Sequence, residues 1–598
     1  MKLKDLIEKK NVKKTLDELN SDRLTIGMAT CGISAGANEV YEALKKAKLN
    51  IPIDIVGCSG MCYNEPIVTV KQNNKNSIYG KITIENVDRL IDAIKKNEIF
   101  KSNFISEKLE NIDFYKKQER IVTKKSGFIN PTNINHYIAY GGFSGLVNAF
   151  NLGPKKTIQE VLDSGLRGRG GAGFPTGKKW SFIADKKSKK FLIGNGDEGD
   201  PGAFMNRTLM ESDPFSIIEG LLIASFAANA TEGFIYTRAE YPLAIKIMQK
   251  AIEIAYKNNL LGKNILGIKD FNFDLSIKMG AGAFVCGEET ALIKSMEGKR
   301  GSPIPRPPFP AQKGLFSMPT NVNNVGTLDH VSIVMSEGAD EFKKIGTLKT
   351  KGTKVLCVTG DVKHTGIVEV PIGIKLKNIV YDICGGIEND QDFKALLTGG
   401  PAGGCIPKNK LNTKLDYENM LELGSIMGSG GIVVISEKSC IVDIARFFMN
   451  FTGEESCGKC TPCREGTKRL LEMLESITKG KADLDIILKM KNLANFIKNN
   501  SLCGLGQAAP NPVLSTLRYF EKEYIEHIKD KKCKAGVCNS LLNFKITKNC
   551  IGCGACKKVC PSDAISGELK KKHTINQEKC IKCGSCFNVC PIKAITKE

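Results

Sequence analysis

The last 49 residues of the chain carry eight cysteines in two similar runs. CIGCGACKKVCPSDAI repeats as CIKCGSCFNVCPIKAI, and each run has the spacing C-x2-C-x2-C-x3-C followed by proline. Such a run wraps a [4Fe–4S] cubane, and its fourth cysteine crosses to the other cluster. Zinc knuckles are the alternative, but they do not need the repeated fourth Cys-Pro. The predicted ligand sets are Cys550, Cys553, Cys556 and Cys590 for one cluster, and Cys580, Cys583, Cys586 and Cys560 for the other.

A third group has one distant member. It comprises Cys457, Cys460, Cys463 and Cys503, in the segments ESCGKCTPCREGT and SLCGLG. Three close cysteines at a helix start and one far downstream suit a further [4Fe–4S] cluster. The N-terminus of that helix would offset the negative charge of the cluster. A structural zinc ion is the alternative.

A mixed group lies just before the tail. His527, Cys533 and Cys538 have a spacing that suits tetrahedral zinc. Only three ligands are local, and Cys440 is the remaining cysteine that we select as the fourth. The alternative is two free cysteines and a surface histidine.

The N-terminal region has three cysteines, Cys31, Cys58 and Cys62. A [2Fe–2S] cluster needs four ligands, so Ser34 or another residue that is not cysteine would complete the set. The alternative is a fold that has lost its metal. Four other cysteines lie in apolar or glycine-rich strands and are expected to be buried as small hydrophobic residues: Cys286, Cys357, Cys384 and Cys405.

Composition restricts the setting of these groups. The chain has 598 residues, 22 cysteines and a formal charge of +22. No stretch is long and apolar enough for a membrane span, and the start lacks the apolar core of a secretory signal, so we expect a cytoplasmic protein. In a reducing compartment, cluster or metal ligation is favoured over disulfides. The dispersed lysines indicate a solvated surface or a surface for an acidic protein partner, and they argue against nucleic-acid binding.

Glycine-rich loops are the second chemical signature. Residues 165–177 hold six glycines, whose backbone N–H groups could bind a phosphate with charge from Arg169 and Lys179. Other motifs are GNGDEGDPG, GAGAFVCGEET, RPPFP and NVNN. The surrounding pattern predicts a small α/β unit, a large α/β region, a β-rich segment and a helical region.

Together these motifs make residues 136–526 resemble the NADH-binding flavoprotein subunit of respiratory complex I. The additions at both ends resemble the β subunit of electron-bifurcating [FeFe]-hydrogenases. The resemblance implies a multidomain α/β and α+β chain with these domains: 1–100 thioredoxin-like with [2Fe–2S]; 101–135 linker; 136–345 Rossmann-like, binding FMN and NAD(H); 346–432 β-grasp; 433–526 helical bundle with [4Fe–4S]; 527–548 zinc-binding connector; 549–598 ferredoxin with two [4Fe–4S] clusters.

The resemblance also implies roles for residues in the motifs. The FMN phosphate and ring would be lined by Gly168, Arg169, Gly170, Gly171 and Lys179. Further FMN contacts would come from Asn195, Asp197, Glu198, Asn323, Asn324 and Thr327. Phe174, Phe182 and Phe309 would stack on nicotinamide or adenine. Asp200, Gly287, Glu288 and Glu289 would lie beside the dinucleotide, where carboxylates favour NAD over NADP.

Two positions depart from the family pattern. Phe284 stands where these subunits usually have tyrosine, which removes one hydrogen bond to the cofactor site. Gly199-Asp200 replaces the usual Ser-Glu, which shortens the carboxylate arm.

The implied function is that of a diaphorase, which passes electrons between NAD(H), FMN and iron–sulfur clusters. No sequence for hydrogen activation or a molybdenum site is present, so a hydrogenase catalytic subunit, a small [2Fe–2S] subunit and soluble ferredoxin are the expected partners. A diaphorase subunit of a formate dehydrogenase or of a complex I-like enzyme is an alternative. So are an electron-wire subunit without an active flavin site and a zinc-knuckle nucleic-acid binder.

Overall fold

A computed structural model describes residues 9–597 of the chain, with side chains from residue 12 onward. These residues form two compact units. The first comprises residues up to 390, 396–400 and 408–434, and the second comprises 391–395, 401–407 and the residues from 435 onward. The mixed α/β architecture expected from the sequence is confirmed. No helix within residues 9–597 is both long and apolar enough to cross a membrane.

The N-terminal domain of the first unit is a five-stranded sheet flanked by helices. Its strand order is β2-β1-β3-β4-β5, with β1 parallel to β2 and antiparallel to β3. Apolar residues at helical spacing, such as Val40 and Leu44, pack the helices onto the sheet. The strands are β1 Arg23–Gly27, β2 Ile53–Val56, β3 Val68–Gln72, β4 Lys75–Tyr79 and β5 Phe104–Ser106. The helices are α1 Lys9–Asn20, α2 Thr30–Ser34, α3 Ala37–Lys46 and α4 Val87–Lys96. The first eight residues, where the sequence lacks the apolar core of a secretory signal, lie outside the described residues.

The segment 101–135, which we predicted to be a linker, is partly structured. Its strand β5 extends the N-terminal sheet beyond residue 100 by pairing with β4. Two short helices follow, α5 Asp113–Lys116 and α6 Ile134–Ala139. The buried Glu369 carboxylate accepts hydrogen bonds from the N–H groups of Val122 and Thr123, at 3.1 and 2.8 Å. This polar segment is therefore held in place by hydrogen bonds from its backbone N–H groups to a buried carboxylate.

The central domain is a parallel sheet with helices on its faces. Its order is β8-β7-β6-β9, and all three pairings are parallel. The strands are β6 Phe191–Asn195, β7 Glu232–Arg238, β8 Asp274–Gly280 and β9 Thr320–Asn324. The helices are α7 Ser144–Leu152, α8 Pro154–Asp163, α9 Thr176–Ala184, α10 Met205–Ser212, α11 Pro214–Ala228, α12 Pro242–Lys257, α13 Glu289–Met296, α14 Val325–Glu337 and α15 Ala339–Phe342. Helix α11 is apolar on all sides because it is buried within the domain core.

A β-rich segment follows. Strand β10 Thr353–Gly360 pairs antiparallel with β11 Gly366–Pro371 and parallel with the first residues of β14 Gly431–Ser436. The segment also contains β12 Phe393–Thr398, β13 Gly404–Pro407 and helix α16 Tyr417–Glu422. Cys357 and Cys384 are buried here, as is Cys405 in the second unit.

The second unit contains the predicted helical region and the tail. The helices are α17 Ile441–Glu454, α18 Thr461–Thr478, α19 Asp485–Asn500, α20 Gly504–Ala508, α21 Asn511–Tyr519 and α22 Glu521–Lys529. In the tail, β15 Phe544–Ile546 pairs with β18 Ile595–Lys597, and β16 Ile565–Ser566 pairs with β17 Thr574–Ile575. Short helices α23 Ala555–Lys558 and α24 Ser585–Val589 occupy equivalent places in the two repeats.

Candidate cofactor sites

The strand order of the central sheet changes direction between β6 and β9, whose last residues are Asn195 and Asn324. From β6 the chain continues to β7 and β8 on one side, and β9 lies on the other side of β6. Asn195 and Asn324 end these two neighbouring strands and face each other in register. In open α/β sheets, ligands bind beyond the carboxyl ends of the strands at such a switch point. The sequence motifs GNGDEGDPG and NVNN therefore meet where the fold favours a cofactor.

The glycine loop between α8 and α9 approaches this point closely. A Cβ atom on Gly170 would lie 3.1 Å from Cβ of Asn324, a tight contact that a glycine avoids. Gly171 has a φ of +122°, which disfavours any residue with a side chain. The Arg169 N–H donates to Thr327 Oγ1 at 2.8 Å, which ties the loop to helix α14. The loop is thus held close to the switch point.

Arg169 itself is turned into the protein. Its guanidinium donates to the carbonyls of Arg167 and Lys351, at 2.8 and 2.6 Å, and the residue is buried. The side chain braces the loop, so its contribution to a phosphate stays a prediction.

Sequence reasoning missed a buried lysine under the same loop. Lys354, on β10, donates through Nζ to the carbonyls of Arg169 and Gly428. Burial, followed by the charge of Arg169, lowers the pKa of Lys354 to about 7. A lone lysine within a strand gave no signal in the sequence, because its partners are 185 and 74 residues away.

Lys179 on α9 lies between two of the predicted motifs. Its Nζ donates to Glu289 Oε2 at 2.9 Å and to the carbonyl of Val322 at 2.7 Å. Glu289 also pairs with Arg306, at 3.1 Å. Glu288 has a different task, because its carboxylate caps helix α13 by accepting from the N–H groups of Thr290 and Ala291. The two adjacent glutamates therefore divide into a helix cap and a group that pairs with two cations.

The asparagines form a network around the strand ends. Asn323 accepts from the indole N–H of Trp180 at 3.4 Å and donates to Asn321 Oδ1 at 2.8 Å. Asn195 donates to the carbonyl of Gly287 at 3.0 Å and accepts from the N–H of Asp197 at 3.0 Å. These bonds fix the strand ends relative to the glycine-rich turns.

Two carboxylates of the GNGDEGDPG motif are held away from bulk water. Glu198 caps α10 by accepting from the N–H groups of Asn206 and Arg207, at 3.1 and 3.2 Å. Burial raises the pKa of Glu198 to about 7 despite these bonds. Asp200 accepts from Ser429 Oγ at 2.5 Å, and burial raises its pKa to about 6. Burial therefore raises the pKa of both carboxyl groups, and that of Glu198 reaches the neutral range.

The three predicted stacking residues are exposed aromatic side chains. Phe174, Phe182 and Phe309 are 47%, 45% and 50% exposed, although large apolar groups usually gain by burial. The rings of Phe174 and Phe182 lie 6.1 Å apart. Phe284 begins a short 3₁₀ turn beside Gly199, where an added Cβ would meet the Phe284 ring. Exposed rings beside a cofactor site suit stacking on planar groups.

The three N-terminal cysteines converge. The sulfur atoms of Cys31, Cys58 and Cys62 lie within 4.8 Å of one another, and those of Cys58 and Cys62 are 3.7 Å apart. Their loops rest on the C-terminal end of α10. Cys58 N–H donates to Ser212 Oγ at 3.1 Å, and Thr30 donates to Glu211 through its N–H and Oγ1, at 2.8 and 2.6 Å.

Helix α10 therefore connects two candidate sites. Glu198 of the switch point caps its N-terminus, and the three-cysteine loops bind its C-terminus through Glu211 and Ser212. At 1.5 Å per residue, its eight residues span about 12 Å.

In the second unit, the cysteine group of the helical region is assembled at helix starts. Cys460 precedes α18, and Cys503 precedes α20. Burial raises the pKa of Cys463 to about 11. A hydrogen bond with Ser456 lowers this pKa, and the charges of the other three cysteines raise it. Helix starts therefore place Cys460 and Cys503 as the sequence predicts, and Cys463 lies buried in the first turn of α18.

The four residues of the His/Cys group lie together in a buried site. Ligand atoms of Cys440, His527, Cys533 and Cys538 lie within 4.8 Å of one another, and all four residues are buried. Cys440 Sγ is 3.7 Å from Cys538 Sγ and 3.2 Å from His527 Nε2. Tetrahedral zinc with bonds of about 2.0–2.3 Å places ligand atoms about 3.5–3.8 Å apart. The Nδ1 atom of His527 hydrogen-bonds the Glu523 carbonyl at 2.7 Å, which fixes the ring as outer partners of zinc ligands do.

The tail forms two separate cavities. One is lined by Cys550, Cys553, Cys556 and Cys590, together with apolar side chains. The other is lined by Cys560, Cys580, Cys583 and Cys586. These are the two sets obtained when the fourth cysteines are exchanged between the runs.

Comparison with known proteins agrees with this arrangement of sites. Residues 161–333 match the Nuo51 FMN-binding domain, and residues 443–527 match the NADH-ubiquinone oxidoreductase-F iron-sulfur binding region. Residues 545–597 match a 4Fe-4S dicluster domain. The chain therefore carries an FMN-binding domain and two kinds of [4Fe–4S]-binding region.

Individual relatives define the family. The chain is 51% identical over 463 residues to "NADP-reducing hydrogenase subunit HndC" of Solidesulfovibrio fructosivorans, covering 77% of this chain and 94% of that protein. It is 40% identical over 402 residues to the second F-type subunit of NADH-quinone oxidoreductase from Rhizobium meliloti, covering 67% and 95%. The chain belongs to the family of FMN- and [4Fe–4S]-binding subunits related to the F-type subunit of NADH-quinone oxidoreductase.

A solved hydrogenase structure is also similar to the chain. The crystal structure of an NAD⁺-reducing [NiFe]-hydrogenase in the H₂-reduced state matches with a TM-score of 0.61 and 26% identity, covering 87% of each chain. Both this structure and the HndC relative are hydrogenase components, so the chain is a diaphorase-type subunit similar to those of hydrogenases and of complex I.

Proposed function

We propose that the chain is the NAD(H)–FMN subunit of a multisubunit hydrogenase. The carrying observation is the switch point, where the glycine loop meets the strand-end asparagines. FMN, when bound, takes a hydride as an electron pair and releases electrons singly. The chain binds and aligns the reactants, because hydride transfer needs proximity more than an acid or a base.

The residues divide these tasks. The glycine loop and Lys179 hold the FMN phosphate and ring, with Thr327 and the asparagines fixing the backbone that surrounds them. Phe174, Phe182 and Phe309 stack on the rings of the dinucleotide. Glu289 faces the ribose and disfavours a 2′-phosphate, which selects NAD(H).

Iron–sulfur clusters held by the same chain would take these electrons onward. The N-terminal cysteines bind one [2Fe–2S] cluster, and its position at the far end of α10 from Glu198 supports a route from the flavin. The helical region binds one [4Fe–4S] cluster and the tail binds two. Cys440, His527, Cys533 and Cys538 bind zinc, which supports the start of the tail rather than electron transfer.

The other subunits of the complex would supply the hydrogen chemistry. The sequence of this chain shows no hydrogen-activating motif, so we expect a separate catalytic hydrogenase subunit, together with a small [2Fe–2S] subunit, in the complex. The two additional cluster domains give the flavin more than one exit, which suits bifurcation between ferredoxin and a second redox partner. The names of the hydrogenase relatives favour this over the formate dehydrogenase and complex I-like alternatives.

Purification of the native complex tests the proposal. We expect FMN at about one per chain, NADH-dependent dye reduction, and a hydrogenase catalytic subunit in the complex. Phe309→Ala should weaken NADH binding by about 0.5–1.5 kcal/mol, with the equally exposed Phe496→Ala as a matched control. Absence of flavin absorbance in the pure protein would favour an electron wire. Reduction of ferredoxin by NADH alone would contradict bifurcation.

A further inference from the structure

The three-cysteine site has no fourth sulfur. Cys31, Cys58 and Cys62 are grouped without another cysteine among the residues with described side chains. Ser34, the substitute considered from the sequence, is exposed at the end of helix α2. A complete site for two irons therefore needs a different ligand.

A buried carboxylate faces the site. Glu65 follows Cys62 by three residues and is only 8% exposed. Its Oε1 accepts from Cys31 Sγ at 3.6 Å, and its Oε2 accepts from the Ile67 N–H at 3.0 Å. The Ile67 bond fixes one oxygen and directs the other toward the cysteines.

Glu65 is as close to Cys31 as two of the cysteines are to each other. Cys58 and Cys62 are 3.7 Å apart between sulfurs, and Cys31 and Glu65 are 3.6 Å apart between sulfur and oxygen. A [2Fe–2S] cluster takes two ligands on each iron, and one pair can differ in chemistry from the other, as in centres where two histidines bind one iron. In the structure the three sulfurs lie together, and Glu65 Oε1 beside Cys31 is placed to supply the fourth donor.

Charge points the same way. A buried carboxylate is costly unless it is paired or coordinates a metal, and across residues 12–597 no lysine or arginine forms an ion pair with Glu65. The surroundings also leave room for it: a Cβ atom on Gly27 or on Gly32 would lie 3.2 Å from Glu65 Oε2. The two glycines make space for a carboxylate that has no structural cation.

We propose that Glu65 is the fourth ligand, so that the N-terminal cluster is a three-cysteine, one-carboxylate [2Fe–2S] centre. This inference rests on the proposed [2Fe–2S] cluster. Oxygen is a harder donor than sulfur and favours the ferric state. The centre should therefore have a lower reduction potential than the same cluster with four thiolates.

The test is electron paramagnetic resonance of the reduced full-length chain. Spectra are recorded at a temperature at which [2Fe–2S] signals remain and [4Fe–4S] signals have broadened. Cys58→Ser identifies the signal of this centre by removing it. Glu65→Gln should remove the signal or shift its g values, with loss of up to two irons per chain. Glu65→Cys should restore a full cluster with altered g values and a higher midpoint potential. Ser34→Ala is the matched control and should leave the signal unchanged.

The outcomes separate the two ideas. A wild-type chain without any signal that Cys58→Ser removes would overturn the [2Fe–2S] cluster itself, and the ligand with it. A signal that Cys58→Ser removes but that keeps its g values and potential in Glu65→Gln and Glu65→Cys would overturn only the ligand. FMN content and the [4Fe–4S] signals of each variant report folding, and Glu65→Cys gives the decisive readout if Glu65→Gln is unstable.

Discussion

Lys179 Nζ and Glu289 Oε2 lie 2.9 Å apart, and this ion pair joins the helix after the glycine loop to the start of helix α13. Arg306 approaches the other carboxylate oxygen at 3.1 Å. Glu289 is thus a carboxylate between two cations at the predicted dinucleotide site. The carboxylate occupies both cations, so that neither is left free to attract a 2′-phosphate.

Glu289→Gln should relax the choice between NADH and NADPH. The amide keeps a hydrogen-bonding group but leaves Lys179 and Arg306 free to attract a phosphate. We expect the ratio of kcat/KM for NADPH to that for NADH to rise about tenfold, or about 1.4 kcal/mol. Steady-state dye reduction with both nucleotides measures it. Glu253→Gln, in the exposed pair with Lys250, is the control, and an unchanged ratio in Glu289→Gln would remove Glu289 from the dinucleotide site.

Gly170→Ala should impair flavin binding. Its new methyl group would lie 3.1 Å from Cβ of Asn324 and would push the loop away from the strand ends. We expect a clear drop in FMN per chain while the iron content is kept. Gly453→Ala adds a methyl group at the end of a helix, with its nearest contact at 3.9 Å, and should retain FMN. Full flavin occupancy in Gly170→Ala would show that the cofactor does not depend on this approach.

Cys538→Ser should remove zinc. The wild-type chain should hold about one zinc per chain, and the variant close to none, because a tetrahedral site needs all four ligands. We expect a lower thermal midpoint for the second unit. Elemental analysis and calorimetry measure the two effects, with the buried Cys405→Ser as the control. Zinc retained in Cys538→Ser, or iron in its place, would contradict the assignment.

Stability should depend on pH through Glu198. Its pKa is about 7 in the folded chain against a usual 4.5, so the native state holds a proton that the unfolded state releases. The free energy of unfolding should therefore fall by up to about 3 kcal/mol as the pH rises from the usual value of 4.5 to about 7. Glu198→Gln should flatten the decline. Thermal midpoints between about pH 4.5 and 8 test this, and a decline that persists in Glu198→Gln would assign it to other groups.

Much of the chemistry could be predicted from the sequence, because its ligands are close in the chain. The cysteine runs of the tail and of the helical region place most members of each set within a few residues, so spacing alone groups them. The glycine loop is similar, since its conformational freedom is a local property. Exposed Phe309 could be assigned only within the whole motif set, because a single aromatic residue gives no signal of its own.

The tertiary structure decided what comes from distant parts of the chain. Cys440 joins His527 across 87 residues, and Asn324 meets Asn195 because the strand order places β9 beside β6. Lys354 and Glu65 had no sequence signal, since a buried lysine or glutamate is recognised by what surrounds it. Strand order and burial depend on packing of the whole chain, so local spacing determined the ligand types and only the fold determined their partners.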